Sequence, residues 1–154
     1  MINVVHLHPM LVHFPIVLFM CAVAMQVYVV AGKGDLAAAE CLPRMAFGAL
    51  LLGTVAAFAA AALGDLALEH AVEIGFPKAE LEEHEELGFA TAWLFAVVTV
   101  LHLGARWKGI RLDGGKGWIL ALAGLAGVVL MVIAAAHGGE LVYELGVNVT
   151  PVKP

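Results

Sequence analysis

The sequence predicts an all-α fold: four transmembrane helices in an up-and-down bundle, with both chain ends on one side of the membrane. Three observations carry this reading. Hydrophobic residues make up 62% of the 154 residues and charged residues 14%, which lies outside the range of soluble domains. Four stretches, 9–32, 45–64, 87–105 and 117–139, contain no Asp, Glu, Lys or Arg, and at about 1.5 Å per residue each can cross a hydrocarbon core of about 30 Å. The apolar–polar alternation of membrane β-strands is absent, so helices, which satisfy their own backbone in lipid, are the expected spanning element.

The first span, 9–32, opens at Pro9, where a missing N–H is harmless. Pro15 is harder to place, because in a helix running from Pro9 it leaves the Leu11 carbonyl without a donor. Either Pro15 starts the true span or the first turn bends across the bundle mouth; both put His13 at that mouth. The first Lys or Arg is Lys33, so the basic segment of a secretory signal is missing and this span reads as a retained helix. The second span, 45–64, and the fourth, 117–137, are rich in small residues, among them Ala56, Ala57, Ala60, Ala61, Ala121, Gly124 and Gly127. Small residues let helices approach closely in lipid, and they would equally provide thin walls for a flat ligand held between spans one and three. The third span is 87–105. After Gly138-Gly139 the chain is expected to leave the helix, giving a tail, 138–154, that lies on the surface or folds over the bundle mouth. The whole chain reads as one integral membrane domain.

Orientation follows from the basic residues. Lys33, Arg44, Arg106, Lys108, Arg111 and Lys116, six of the eight, flank the first and third loops, which the positive-inside rule assigns to the cytoplasm, leaving both termini outside. Trp107, Trp118 and Tyr28 fall where interfacial aromatics are expected. A net charge of −5 without a basic patch argues against nucleic acid as a partner; the bilayer itself is the partner that composition implies. Cys21 is mid-span and Cys41 lies at the opposite end from most histidines, so no disulfide is expected, and the absence of C-x-x-C-H excludes c-type haem attachment.

Four crossings gather six of the seven histidines at the outer end. His6, His8 and His13 enter span one, His70 and His84 flank the second loop, and His137 closes span four. Spans one and three are diagonal in an up-and-down bundle, so His13 and His84, at similar depth, form the expected pair: two imidazoles facing each other across a bundle can ligate haem iron axially. His8 is expected as a further ligand or a hydrogen-bonding group at the mouth, and Asp65 as an acceptor that orients a ligating imidazole. His137 is a candidate metal ligand or proton relay. His6 and His70 read as solvent-facing. His102, 18 residues beyond His84 and on the same helix face, is expected to hydrogen-bond within the bundle, with Met25 or Met45 as conceivable co-ligands. Di-iron Glu-x-x-His pairs are missing, and His84-Glu85-Glu86-Leu87-Gly88 lacks the second histidine of a zinc protease helix.

His8-Pro9-Met10-Leu11-Val12-His13-Phe14-Pro15-Ile16 at the start and Gly138-Gly139-Glu140-Leu141-Val142-Tyr143-Glu144-Leu145-Gly146-Val147 at the end resemble the HP-x-x-VHFPI and GG-x-LVY-x-x-GV motifs of a bacterial membrane-protein family of unknown function. Gly64-Asp65 and the histidine at the start of span three, His84, belong to the same resemblance, which covers essentially the whole chain. It implies a four-span protein of the bacterial inner membrane, in which the orientation read from the basic residues puts the termini in the periplasm, and an association of some relatives with redox modules. Together the residues point to a b-type cytochrome or haem-carrying subunit that passes electrons at the periplasmic face. Quinol or a periplasmic redox protein would be the electron partner. Two other readings stay open: a membrane protein binding a transition metal without haem through His13, His84 and His137, and a cofactor-free structural or assembly subunit of a membrane complex.

Overall fold

A computed structural model of the chain describes residues 6–149. Five α-helices follow one another: α1 (Leu7–Leu11), α2 (His13–Ala31), α3 (Cys41–Glu73), α4 (Lys78–Lys108) and α5 (Gly114–Tyr143), and no strand occurs among the described residues. α1 and α2 form one span, Leu7–Ala31, so four elements are long and apolar enough to cross a membrane. The step between them is Val12, whose backbone stays helical (φ −58°, ψ −24°) while its N–H bonds the His8 carbonyl at 3.1 Å. Pro15, three residues on, has no N–H to offer the Leu11 carbonyl. The chain therefore takes the second option read from the sequence: the helix begins ahead of Pro15 and its first turn is set off from the rest.

The other helices outrun the uncharged stretches. α3 continues to Glu73 and α4 begins at Lys78, so their histidine-bearing ends carry charged turns beyond the apolar length. The expectation that the chain leaves the helix after Gly138-Gly139 is corrected here: α5 runs through both glycines to Tyr143. Packing overrides the glycine propensity, since Leu141 joins Ala71, Leu81 and Val147 in a small apolar cluster. Beyond Tyr143 the chain turns at Gly146, at φ +70°, after which Val147 N–H returns to the Leu141 carbonyl at 2.9 Å. Of the tail expected over 138–154, residues 150–154 lie outside the described residues.

The spans pack in cyclic order, each against its neighbours in sequence and α5 against α2. α2 and α4 are thus diagonal, as are α3 and α5. At the centre Phe19 of α2 and Phe95 of α4 stack at 3.6 Å between ring centres, 8° from parallel, both fully buried. They meet across the bundle because Gly53 of α3 and Gly127 of α5 present bare backbone: a Cβ on either would stand 2.8 Å from the phenylalanine ring beside it. Large side chains such as Val55, Val100 and Ile119 point outward, where lipid is the solvent.

The two hairpins, α1/α2–α3 and α4–α5, repeat one another. The buried positions Pro15, Phe19, Ala22, Val23, Gln26 and Val29 of α2 correspond, 76 residues later, to the buried Thr91, Phe95, Val98, Thr99, His102 and Ala105 of α4. Pro43, Ala46, Leu50, Gly53, Ala57 and Ala60 of α3 correspond, 74 residues later, to the buried Gly117, Leu120, Gly124, Gly127, Met131 and Ala134 of α5. Both hairpins start at the same end, so they are parallel repeats related by a pseudo-two-fold axis along the bundle, an arrangement common among membrane proteins.

The end that carries the basic loops is closed by side chains acting on backbone. Asp35 Oδ1 accepts from the N–H groups of Ala37 (2.9 Å) and Leu112 (2.7 Å), tying the first loop to the third. Arg106 donates to the carbonyls of Leu36 and Pro43, both at 2.9 Å. His102, fully buried, donates from Nε2 to the same Leu36 carbonyl at 2.9 Å, which is the within-bundle bond expected of it.

Candidate functional site: two imidazoles across the bundle

At the opposite end the four spans enclose a cavity of about 580 Å³, within the range of sites for medium-sized ligands. All four spans line it, and the diagonal pair α3 and α5 does so with small residues, through Ala57, Ala60, Ala61 and Gly64 on one side and Ala134, Ala135 and Gly138 on the other. Phe19 forms part of its floor, while Leu141, Val142, Val147, Asn148 and Val149 also line it, so the C-terminal segment folds over the mouth. Small side chains on helices two and four of the bundle thus provide open volume as well as close packing.

His8 and His84 enter this cavity from the other diagonal pair. Their ring centres are 6.1 Å apart and their planes 80° from parallel. Each ring is tethered in the same way. His8 Nδ1–H donates to the Ala60 carbonyl at 2.8 Å and His84 Nδ1–H to the Ala134 carbonyl at 3.0 Å. A carbonyl can only accept, so Nδ1 carries a proton in both rings, and the neutral form of such a ring keeps its lone pair on Nε2. No described residue bonds either Nε2. This is the tautomer and anchoring that a metal-ligating imidazole commonly has.

The histidines expected as a pair, His13 and His84, both line the cavity, but the imidazole facing His84 belongs to His8; His13 is exposed at the mouth with His6. Asp65 is exposed and does not orient either ring, because backbone carbonyls already do. His137 stands apart from the cavity: its Nδ1–H donates to the Ile133 carbonyl at 3.0 Å and its Nε2 lies 3.4 Å from Glu83. His70 is half-buried and lines no part of the cavity. Among the described residues no group of three or more His, Cys, Asp or Glu side chains stands close enough to hold an ion.

A family model described as "Predicted membrane protein (DUF2231)" matches residues 5–151. The chain belongs to this family. No curated protein and no solved structure matches it. The match spans both hairpins of this DUF2231 chain, so the repeat and the paired imidazoles lie within the family region. Reading the histidines by depth alone pairs His84 with His13 and leaves His8 as a further group at the mouth. The signal that finds it is the repeat: His8 and His84 are 76 residues apart, as are Phe19 and Phe95, while Gly53 and Gly127, and Gly64 and Gly138, are 74 apart.

Proposed function

We propose that this chain is a haem b-carrying membrane protein, or the haem-carrying subunit of a membrane complex, that transfers electrons near one membrane face, with His8 and His84 as the two axial ligands. The observation that carries the reading is the pair of rings tethered through Nδ1 on diagonal helices. Two imidazoles that share one metal on opposite sides have their centres roughly 6 Å apart, since a metal–nitrogen bond is about 2.0–2.1 Å and the ring centre lies about 1 Å behind the nitrogen; the separation here is 6.1 Å. Two donors leave most of a metal's coordination unfilled, which suits a metal already held in a planar macrocycle better than a bare ion. The cavity volume and its small-residue walls suit the same ligand.

Bound haem would supply one-electron ferric–ferrous chemistry, which no side chain of the chain offers. The chain's own contribution is positional and electrostatic. The Ala60 and Ala134 carbonyls hold both rings through Nδ1–H and leave Nε2 as the nitrogen that would bind iron. The largely apolar lining keeps water from the ligand and lowers the local dielectric, and His6, His13 and Asn148 are polar groups at the mouth that can meet carboxylates of the ligand. Six of eight basic residues at the far end support a periplasmic position for the site in a bacterial inner membrane, with quinol or a periplasmic redox protein as electron partner.

The test is spectroscopic. Protein purified in mild detergent should show a reducible Soret band and sharp low-spin visible bands, with stoichiometric iron. His8→Ala and His84→Ala should each abolish the low-spin spectrum, whereas His13→Ala and His70→Ala should retain it. Bound metal without those bands would favour a non-haem site, and neither metal nor haem would favour a structural subunit.

A further inference from the structure

The two rings lie against bare backbone. A Cβ built on Gly64 would stand 3.0 Å from both Cε1 and Nδ1 of His8. A Cβ on Gly138 would stand 2.8 Å from His84 Cε1 and 3.3 Å from both its nitrogens. In each case the glycine is four residues, about one helical turn, beyond the residue whose carbonyl takes the Nδ1–H bond. The ring therefore lies along the helix surface over the glycine while bonding the turn before it. Neither glycine is explained by its backbone angles, since both sit inside regular helix, where glycine is about 1 kcal/mol worse than alanine. Gly139, next to Gly138, has nothing within 4 Å of where its Cβ would be.

We propose that Gly64 and Gly138 are positioning residues for the paired imidazoles: each supplies the seat that lets its histidine ring reach the carbonyl one turn back and face the other ring. Their role toward a metal rests on the axial-ligand reading; their role as seats rests on the distances alone. The rings are partly buried in a packed bundle and cannot both keep their hydrogen bonds and clear a methyl group at 2.8–3.0 Å. An alanine would push the ring off its carbonyl and re-aim Nε2. Because the two seats are related by the repeat, the two substitutions should act alike.

Two double-mutant cycles test the seats without any added haem, by thermal unfolding in detergent. Gly64→Ala should destabilise the wild-type chain but be neutral or stabilising in the His8→Ala background, and Gly138→Ala should behave likewise with His84→Ala. If either single variant fails to fold, recovery of folded protein on removing its histidine demonstrates the same coupling. Gly139→Ala should show no such coupling to His84. In haem-loaded protein, Gly64→Ala and Gly138→Ala should each lower the low-spin fraction in electron paramagnetic resonance about fivefold, the factor expected for one lost hydrogen bond, while Gly139→Ala should not. Absence of coupling in both cycles overturns the inference. Coupling with an unchanged low-spin signal overturns the positioning role and leaves the glycines as packing sites. A wild-type chain that takes up no haem, with both cycles coupled, overturns the proposed function while the seats stand.

Discussion

The two hairpins share a register but diverge with depth, and the divergence separates what the repeat keeps from what it lets change. Around the two rings the equivalents are identical: His8 and His84, Ala60 and Ala134, Gly64 and Gly138, and below them Phe19 and Phe95, whereas Pro15 and Thr91, or Ala57 and Met131, also in the cavity wall, differ. At the far end they differ: Gln26 faces the core where its equivalent is His102, and Lys33 occupies the turn whose equivalent is Gly109. A two-fold-related pair of rings needs two-fold-related supports, so identity at the carbonyls and glycines that touch the rings is what a shared site demands. At the other end each hairpin bonds different partners, and nothing requires the two to match.

The largest expected effect breaks one of the identical pairs. Phe19 and Phe95 are fully buried, stacked on each other, and each lies over a glycine. Phe19→Ala and Phe95→Ala should each destabilise by about 3–5 kcal/mol, the range for large core aromatics, and by similar amounts, read as thermal or chemical unfolding in detergent. A cost confined to one of them would show that the repeat is a likeness of register without equivalence of packing.

A smaller effect, of opposite sign in the two hairpins, sharpens the contrast at the other end. Gln26 is fully buried, and neither atom of its amide has a hydrogen-bond partner among the described residues. An unpaired buried polar group costs about 1–3 kcal/mol, so Gln26→Leu should stabilise by about 1 kcal/mol or more. His102, its equivalent, is equally buried and its Nδ1 is unpaired among the described residues, but its Nε2–H donates to the Leu36 carbonyl and the ring packs against Phe47. His102→Leu should therefore destabilise by about 1 kcal/mol. Equal signs in an unfolding assay would mean that the two positions do the same work after all.

How legible the fold and the site are in the sequence follows from what kind of pattern each feature leaves. The four spans are compositional, and length and charge locate each of them, with ends off by as much as about two and a half turns where charged turns extend the helix. Their ends are less legible: Gly138-Gly139 reads as a helix stop, yet the missing side chains make room for a ring from another helix and the helix continues. The diagonal placement of spans one and three follows from short loops alone, so a histidine pair across the bundle is foreseeable. Which residue of span one faces His84 is not, because His8 and His13, five residues apart, sit on different faces of the helix and depth alone does not say which face turns inward. The buried-position match at spacings of 76 and 74 carries that information, but few identical residues mark it, among them His8, Phe19, Gly53 and Gly64 with their equivalents.

The smallest expected effect concerns the turn at the end of each first helix. Lys33 and Gly109 both adopt left-handed backbone, at φ +61° and +64°. Both close a Schellman motif: Gly34 N–H bonds the Val29 carbonyl at 2.8 Å and Ile110 N–H the Ala105 carbonyl at 2.9 Å. A side chain in this region costs roughly 1–2 kcal/mol, part of which a glycine would give back through the greater entropy of the unfolded chain. Lys33→Gly should thus stabilise by about 0.5–1 kcal/mol, a rise of about 2 °C in the unfolding midpoint for a chain of this size, and Gly109→Lys should lower it by a similar amount. A cation at a helix C-terminus is favoured by the helix dipole, which opposes the backbone term at Lys33. If Lys33→Gly lowers the midpoint, charge outweighs conformation at that turn, and the first hairpin has departed from the second there because its lysine stabilises the helix end.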